Sequence, residues 1–257
     1  MKSWIRYRSS NNRVGFGLLD ELDQIHVHDA DMFDTPISTG EILKVGDVVL
    51  LSPCQPGKIV ALWNNFHALA AKIGKPVPLH PLFFIKPSTS VCATHVNIKR
   101  PKSYGGKIVY EGELGIVIGK RCSDVDPGDA SHYIFGYTCV NDITAVELLN
   151  EDLNFAQWTR AKSFDTFGVL GPCIVPGFDW RAASVVTTLD GVERQNYPLS
   201  DMVFTPEQLV SHISRDMTLL PGDVIACGTS LGVGSIKDGS SVRVAIEGIG
   251  ALFNRLI

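Results

Sequence analysis

The stretch Val109-Tyr110-Glu111-Gly112-Glu113-Leu114-Gly115-Ile116-Val117-Ile118-Gly119 combines an apolar, β-branched run with two glutamates that lie two residues apart. Because side chains alternate between the two faces of a strand, Glu111 and Glu113 are predicted to share one face. Two like charges on one face of an apolar strand repel each other unless a cation lies between them. The stretch therefore predicts a strand of a buried sheet that carries an acidic site.

Other short runs along the chain have the same β-branched or alternating character and are bounded by Gly, Pro or Asp. They are LGIVIGK (114–120), HYIFGYTCV (132–140), SVVTTLDG (184–191), DVIACGT (223–229) and VRVAIEG (242–248). Strands outnumber helices and do not alternate with them regularly, which disfavours a doubly wound parallel sheet. We predict an α+β, predominantly β fold with mixed, largely antiparallel sheets. Residues 1–57 are predicted to form a small β domain ahead of the main domain, 58–257.

Three helices carry sequence signals. One is predicted to begin near Asn64 or Asn65 and to end at Gly74, before Pro76, which places His67 in its first turn. A second is predicted after Thr144, because Thr144 and Glu147 have the spacing of a capping box. A third is predicted from the Thr205-Pro206 pair, with proline at the first helical position. Most of the remaining chain is predicted to be strand and turn.

Composition excludes several classes of protein. The 257 residues are 45% hydrophobic, enough for one sizeable core with a small appendage. The formal net charge of −4, without a run of Lys or Arg, disfavours a nucleic-acid partner. No stretch approaches ~18 consecutive apolar residues, and the N-terminus lacks an apolar leader. The six cysteines form no CxxC pair, as in reduced core thiols. We expect a cytoplasmic protein without a membrane partner.

A third acid, Asp142, follows the apolar run of residues 134–141 and is predicted to lie at the end of a strand. Three carboxylates without a cysteine or a histidine cluster match the oxygen ligands that Mg²⁺, Mn²⁺ or Ca²⁺ prefer, rather than those of zinc. From spacing alone, a solvated edge strand and a turn aspartate remain the alternative. Glu111, Glu113 and Asp142 are therefore candidate ligands of a divalent metal ion.

Two further segments are candidates for substrate contacts. Lys162 lies among small and apolar residues, where its ammonium could reach a carboxylate or an enolate oxygen, although a lone lysine is usually solvated. Gly228 and Thr229 lie in a Gly-rich segment that could bring backbone N–H groups near a carboxylate. This segment lacks the lysine and the spacing of a phosphate-binding loop, so nucleotide binding is not expected.

Seven motifs in this order resemble those of the fumarylacetoacetate hydrolase family over residues 58–257. They are Lys58-Ile59-Val60, Phe83-Phe84-Ile85-Lys86-Pro87, Tyr110 to Leu114, Gly136-Tyr137-Thr138 through Asp142, Ala161 to Phe167, Pro221-Gly222-Asp223 with Gly228-Thr229, and Glu247 to Gly250. The resemblance implies a mixed β-roll with peripheral helices, assembled as a homodimer. It also implies that Glu111, Glu113 and Asp142 bind Mg²⁺ (or Mn²⁺/Ca²⁺).

The resemblance also assigns roles to other side chains. Lys162 matches the lysine that orients the substrate or stabilises developing negative charge. Thr229, with Gly228 before it, matches the threonine near the substrate carboxylate, and His67 matches the histidine of a mobile lid helix. The implied activity is metal-dependent hydrolysis of a C–C bond in a small 2-oxo or 2,4-dioxo acid, such as an acylpyruvate.

Three positions depart from the hydrolytic pattern. Ala70 stands where hydrolytic members place the glutamate that acts with the lid histidine, so half of the expected base pair is missing. Val146 and Leu149 stand where an arginine and a glutamine contact substrate. We therefore expect a more apolar distal pocket. Decarboxylation or isomerisation of 2-oxo diacids from aromatic catabolism, including oxaloacetate-type decarboxylation, stays open, as does a non-catalytic homologue that binds metal and carboxylates.

Overall fold

A computed structural model of the chain describes residues 2–257. Strands account for 43% of the residues and helices for 17%, which confirms the predicted α+β, predominantly β class. Most neighbouring strands are antiparallel; the parallel strand pairs among residues 2–257 are Val224–Ala226 with Lys58–Trp63 and Gly168–Val175 with Val91–Cys92, besides an isolated parallel bridge between Ile98 and Leu256. The predicted mixed, largely antiparallel arrangement is therefore confirmed.

The N-terminal strands are β1 (Ser3–Ser9), β2 (Val14–Leu19), β3 (Gln24–Asp29), β4 (Ile37–Lys44) and β5 (Val48–Leu51). Strand β1 pairs with β2 and β5, and at its start Trp4 pairs with Ile174 of a later strand, Gly168–Val175. The N-terminal strands therefore continue the main sheet of the chain, and the domain boundary at residue 57 stays a prediction.

The remaining strands are β6 (Lys58–Trp63), β7 (Leu82–Pro87), β8 (Val91–Cys92), β9 (Ile108–Tyr110), β10 (Gly112–Ile118), β11 (Ile134–Asp142), β12 (Thr144–Ala145), β13 (Gly168–Val175), β14 (Ser184–Leu189), β15 (Val192–Pro198), β16 (Val224–Ala226), β17 (Gly234–Ile236), β18 (Ser241–Ile246) and β19 (Gly250–Arg255). The five runs identified in the sequence all contain strands: β10, β11, β14, β16 and β18. The β-branched pattern therefore located the central strands correctly.

The main sheet runs in the order β4-β3-β2-β1-β13-β11-β10-β16-β6-β7, with β5 beside β1 and β8 beside β13. Two smaller sheets have the orders β12-β9-β17 and β15-β14-β18-β19. Strands β10 and β11 lie inside the main sheet, and every residue of β10 is buried. Ile116 faces Ile225 of β16, and burial of such a side chain stabilises the fold by about 1.5–3 kcal/mol. A rigid core therefore supports the strands that carry the acids.

The helices are α1 (His67–Ile73), α2 (Trp158–Lys162) and α3 (Pro206–Asp216), with 3₁₀ turns at Val45–Asp47, Ser88–Ser90, Ala130–Tyr133, Val146–Asn150, Trp180–Ala182 and Leu199–Asp201. Helix α3 has the predicted start, because Thr205 and Gln208 form a capping box ahead of Pro206. Helix α1 ends at Gly74, which adopts the left-handed conformation, as predicted. It begins at His67, a little later than expected, because the side chain of Asn65 is bonded to Phe204 and Cys227.

The capping box predicted at Thr144 is wrong. Thr144 lies in β12, where it pairs with Val109 of β9, and its hydroxyl donates a hydrogen bond to Glu111 Oε1 at 2.6 Å. Because this hydroxyl already has a partner, it does not cap a helix, and the following segment forms only the 3₁₀ turn at Val146–Asn150. Thr144 therefore contacts an acid of the candidate site and does not cap a helix.

All six cysteines are buried and free of disulfides, as expected from their spacing. Within residues 2–257, no helix is long and apolar enough to cross a lipid bilayer.

Candidate metal centre

The ends of three strands bring the predicted acids together. Glu111 lies between β9 and β10, Glu113 is the second residue of β10, and Asp142 is the last residue of β11. The backbone N–H of Asp142 donates to the carbonyl of Glu111 at 2.9 Å, which joins the two segments. One carboxylate oxygen from each acid lies within 4.8 Å of the others. The carboxylates therefore converge, although Glu111 and Glu113 do not lie in one uninterrupted strand.

Gly112, between the two glutamates, is required by close packing. A Cβ at this position would lie 2.2 Å from Thr187 Oγ1. Its N–H donates to Gln195 Oε1 at 3.0 Å, and its carbonyl accepts from the Tyr197 hydroxyl at 2.5 Å and from Thr229 Oγ1 at 3.0 Å. Both backbone groups of Gly112 are thus fixed by buried side chains, which sets the directions of the flanking glutamates.

Lys162 lies at the end of α2, with its ammonium between two of the acids. Its Nζ donates to Asp142 Oδ2 at 2.6 Å and to Glu111 Oε1 at 2.9 Å. Burial by itself lowers the pKa of Lys162, but the carboxylates of Asp142 and Glu111 outweigh it and raise that pKa above its usual value. The side chain is therefore a fixed positive charge at the site.

Lys86 is a second buried cation at the site, and its role was not predicted from the sequence. Its ammonium forms an ion pair with Asp142 Oδ1 and donates to the carbonyl of Phe167 at 3.0 Å. Burial lowers the pKa of Lys86, and the Asp142 charge opposes that effect. Burial would raise the pKa of Asp142, but the ammonium groups of Lys162 and Lys86 outweigh it and lower that pKa. Asp142 is therefore a carboxylate. The available signal was a lysine within the apolar strand that ends at Pro87.

Glu113 is the one acid of the three that forms no ion pair with Lys162 or Lys86. It is completely buried, and its Oε2 accepts a hydrogen bond from the N–H of Gly228 at 2.8 Å. Its Oε1 is buried without a hydrogen-bond partner among residues 2–257. Burial, followed by the charges of Asp142 and Glu111, raises the pKa of Glu113 well above its usual value. A buried orphan oxygen of this kind is costly unless a cation occupies the space beside it.

The donor set fits a hard divalent cation. Glu111, Glu113 and Asp142 offer only carboxylate oxygens, the ligands that Mg²⁺ and Mn²⁺ prefer, whereas structural zinc sites use Cys and His. Three carboxylates face two ammonium groups, and neither Lys162 nor Lys86 bonds to Glu113. A divalent ion beside Glu113 would offset the remaining negative charge and supply the partner that Oε1 lacks.

Gly228 and Thr229 lie beside the segment that carries Glu111 and Glu113. The N–H of Gly228 is bonded to Glu113, while the Thr229 hydroxyl donates to Gly112 and accepts from Gln195 Nε2 at 2.8 Å. These contacts position the loop relative to the ligand strand. The roles of both residues in substrate binding stay predictions.

His67 is the first residue of α1 and is exposed, and none of the hydrogen bonds or ion pairs within residues 2–257 joins it to the acids. The N–H of Ala68 donates to Asp201 Oδ2 at 3.0 Å, which holds the start of the helix. Ala70, three residues later, is buried, and its methyl side chain gives His67 no neighbouring carboxylate. His67 therefore lies at the protein surface, and its catalytic role stays a prediction.

Comparison with known proteins identifies the family. Residues 58–257 match the family model described as fumarylacetoacetate (FAA) hydrolase C-terminal, and residues 2–53 match a model described as Rv2993c-like, N-terminal. A protein of Archaeoglobus fulgidus is 44% identical over 210 residues, which cover 82% of each chain. The chain therefore belongs to the fumarylacetoacetate hydrolase family, and the resemblance found in the sequence is confirmed.

Solved structures of this family show the same fold. A 2-hydroxyhepta-2,4-diene-1,7-dioate isomerase from Mycobacterium marinum is 36% identical, with a TM-score of 0.91 over 100% of this chain and 98% of the other. A fumarylpyruvate hydrolase from Pseudomonas aeruginosa, solved with Mn²⁺ and pyruvate, is 29% identical, with a TM-score of 0.72 over 80% of this chain and 91% of the other. The family thus includes hydrolases and isomerases.

Proposed function

We propose that the protein is a Mg²⁺- or Mn²⁺-dependent enzyme that hydrolyses a C–C bond of a small 2-oxo or 2,4-dioxo acid, such as an acylpyruvate. The observation that carries this proposal is the unpaired, buried oxygen of Glu113 within a cluster of three carboxylates. The structural neighbour that holds Mn²⁺ and pyruvate supports it. We also propose that the enzyme acts as a cytoplasmic homodimer, as the family resemblance implies.

Glu111, Glu113 and Asp142 would hold the metal ion. When bound, a divalent ion acts as a Lewis acid toward the carboxylate and keto oxygens of a 2-oxo acid. Lys162 adds a preorganised ammonium where negative charge grows on the keto oxygen, and Lys86 keeps Asp142 ionised from the opposite side. Both ammonium groups are buried, and electrostatic interactions are stronger in a buried site than in water.

The proton of the attacking water needs a base. His67 is the candidate, since it lies on the first turn of α1 and the buried Ala70 cannot contribute a carboxylate. General-base catalysis contributes about 10²–10⁴-fold. His67→Ala is therefore expected to lower kcat for acylpyruvate hydrolysis by at least ~100-fold and to remove one ionisation from the pH–rate profile. His132→Ala, at an exposed histidine, is the control. An unchanged profile in His67→Ala would contradict a base role.

Decarboxylation or isomerisation of a 2-oxo acid is the second candidate, because neither reaction consumes water. It is favoured by Ala70, which is 1% exposed, and by the 36% identity to an isomerase across the whole chain. In decarboxylation, the C–C bond to the departing CO₂ would break and leave an enolate that takes up a proton; in isomerisation, a proton would leave one carbon and be returned to another. Val146 and Leu149 are compatible with this candidate, because they remove the polar contacts typical of hydrolases.

Product analysis separates the candidates. The Mn²⁺-loaded protein is incubated with acylpyruvates, with oxaloacetate and with a 2-hydroxymuconate-type dienoate. Hydrolysis yields pyruvate and a second acid, decarboxylation releases CO₂, and isomerisation shifts the ultraviolet spectrum without either product. Formation of pyruvate together with a second acid from an acylpyruvate, without CO₂, supports the leading proposal, because decarboxylation of oxaloacetate also yields pyruvate. Tight binding of these acids without any product supports a non-catalytic homologue instead.

Metal binding is expected to depend on pH through Glu113. Its raised pKa means that the metal-free protein keeps a proton on this carboxyl at pH values where a free glutamate is ionised. Mn²⁺ requires the carboxylate, so binding displaces the proton and affinity rises with pH until Glu113 ionises by itself. Calorimetry in two buffers of different ionisation enthalpy should show about one proton released per ion at the low-pH end. A Kd independent of pH, without proton release, would contradict this expectation.

A further inference from the structure

A cavity of about 550 Å³ lies beside the acidic cluster and has mainly aromatic and aliphatic walls. Trp63, Phe84 and Trp158 provide its aromatic surface, and Leu82 and Leu149 extend it. Trp158 stacks on Phe84 with 5.0 Å between ring centroids, and Trp63 lies 6.0 Å from Trp158. Its volume falls within the range of about 300–1,000 Å³ typical of small-molecule sites.

Phe84 joins this cavity to the acids. Its ring lines the cavity, and the ammonium of Lys162 lies 5.2 Å from the ring centroid. The same ammonium donates to Glu111 and Asp142. The Lys162 ammonium therefore lies next to both the Phe84 wall of the cavity and the carboxylates of Glu111 and Asp142.

The direction of the cavity follows from strand β7. Leu82, Phe84 and Lys86 lie two residues apart and so share one face of the strand, with about 7 Å between successive members. Lys86 contacts Asp142, Phe84 comes next, and Leu82 lies farthest from the acids. Leu82 and Phe84 both line the cavity, so the cavity extends along β7 away from the acids.

The cavity has two polar lining side chains, Lys75 and Asn150, and both are exposed, whereas its other lining residues are aromatic or aliphatic. Lys75 is the one lining side chain with a titratable group, and it is exposed. Leu149, which lines the cavity, stands where hydrolases of the family place a glutamine. No arginine lines it within residues 2–257. An apolar, flat group therefore fits these walls better than a second carboxylate.

We propose that this cavity binds the distal group of the substrate and that the preferred substrates are 2-oxo or 2,4-dioxo acids with an aryl group, such as aroylpyruvates. The inference rests on the proposed function, because the 2-oxo acid end must be held at the acidic cluster. Contacts between aromatic rings add to the effect of burying apolar area, which favours an aryl over a small alkyl group.

Binding of unreactive analogues tests the proposal. Calorimetry with the Mn²⁺-loaded protein compares 2-oxobutanoate, 2-oxo-4-phenylbutanoate and 2-oxoglutarate. We expect the phenyl compound to bind at least ~10-fold more tightly than the other two. Equal affinities, or a preference for the diacid, would overturn the aryl proposal while leaving the proposed function intact. Failure of all three to bind would overturn both.

A pair of variants locates the effect. Leu149→Arg introduces a charge into the cavity wall and is expected to remove the phenyl advantage while changing 2-oxobutanoate affinity less than ~2-fold. Leu153→Arg adds the same charge at a residue that is 95% exposed and outside the cavity, so it should keep the advantage. If Leu149→Arg retains the full phenyl preference, or Leu153→Arg loses it, this cavity is not the aryl site.

Discussion

Glu113→Gln is expected to abolish Mn²⁺ binding and turnover while leaving the metal-free protein at least as stable as the wild type. The amide keeps the shape of the side chain but removes the negative charge that the metal ion needs. Loss of an outer-shell partner alone costs about 10–100-fold in metal affinity, so loss of a ligand should raise Kd by at least ~100-fold. Calorimetric titration with Mn²⁺ and a turnover assay measure both effects.

The metal-free Glu113→Gln variant is expected to be stable because position 113 is buried. Glu113 is completely buried, and burial raises its pKa, so ionisation of this carboxyl is costly without a cation. A neutral amide removes that cost. Urea unfolding in EDTA should therefore show no loss of unfolding free energy in Glu113→Gln. The exposed Glu247→Gln is the matched control for an altered charge. Wild-type Mn²⁺ affinity in Glu113→Gln would contradict the assignment of this ligand.

Lys86→Met is expected to lower the free energy of unfolding by about 3–5 kcal/mol. Lys86 and Asp142 are both 1% exposed, and removal of one partner leaves the other with less compensation for its buried charge. For a chain of this size, the loss corresponds to a decrease in Tm of about 6–20 °C. Urea unfolding and calorimetry of the metal-free protein measure it, with the exposed Lys72→Met as the control.

A double variant checks the cause of this destabilisation. Lys86→Met combined with Asp142→Asn removes both charges, so part of the lost unfolding free energy should return. If Lys86→Met changes the unfolding free energy by less than ~1 kcal/mol, the buried ion pair does not stabilise the fold as proposed. If the double variant is simply the sum of two losses, the effect has another cause, such as lost packing.

The sequence was informative where the signal is local. The β-branched runs around Ile116 and Val244 identified central strands, because alternation and turn residues are properties of a few neighbouring positions. The cap at Thr205 and the end of α1 at Gly74 are local in the same way. Thr144 shows the limit of such signals. Its hydroxyl donates a hydrogen bond to Glu111, 33 residues away, and therefore does not cap a helix.

The acids could be found in the sequence, but their surroundings could not. Glu111 and Glu113 are conspicuous because they stand in an apolar stretch. Gln195 and Tyr197 form hydrogen bonds with the backbone of Gly112, which lies between the two glutamates. They follow Gly112 by 83 and 85 residues, in a strand without any distinctive motif. Lys86 was visible only as a lysine beside apolar residues. Such contacts depend on sheet order and register, which a single sequence does not specify.

The central claim is that Glu111, Glu113 and Asp142 hold a divalent metal ion that receives a 2-oxo acid. A crystal soaked with MnCl₂ and oxalate, measured at the manganese absorption edge, tests it most directly. We expect one strong anomalous peak between the three carboxylates, with oxalate density in contact with it on the side of Lys162. An empty cluster under saturating Mn²⁺, or a peak at another place in the chain, would contradict it.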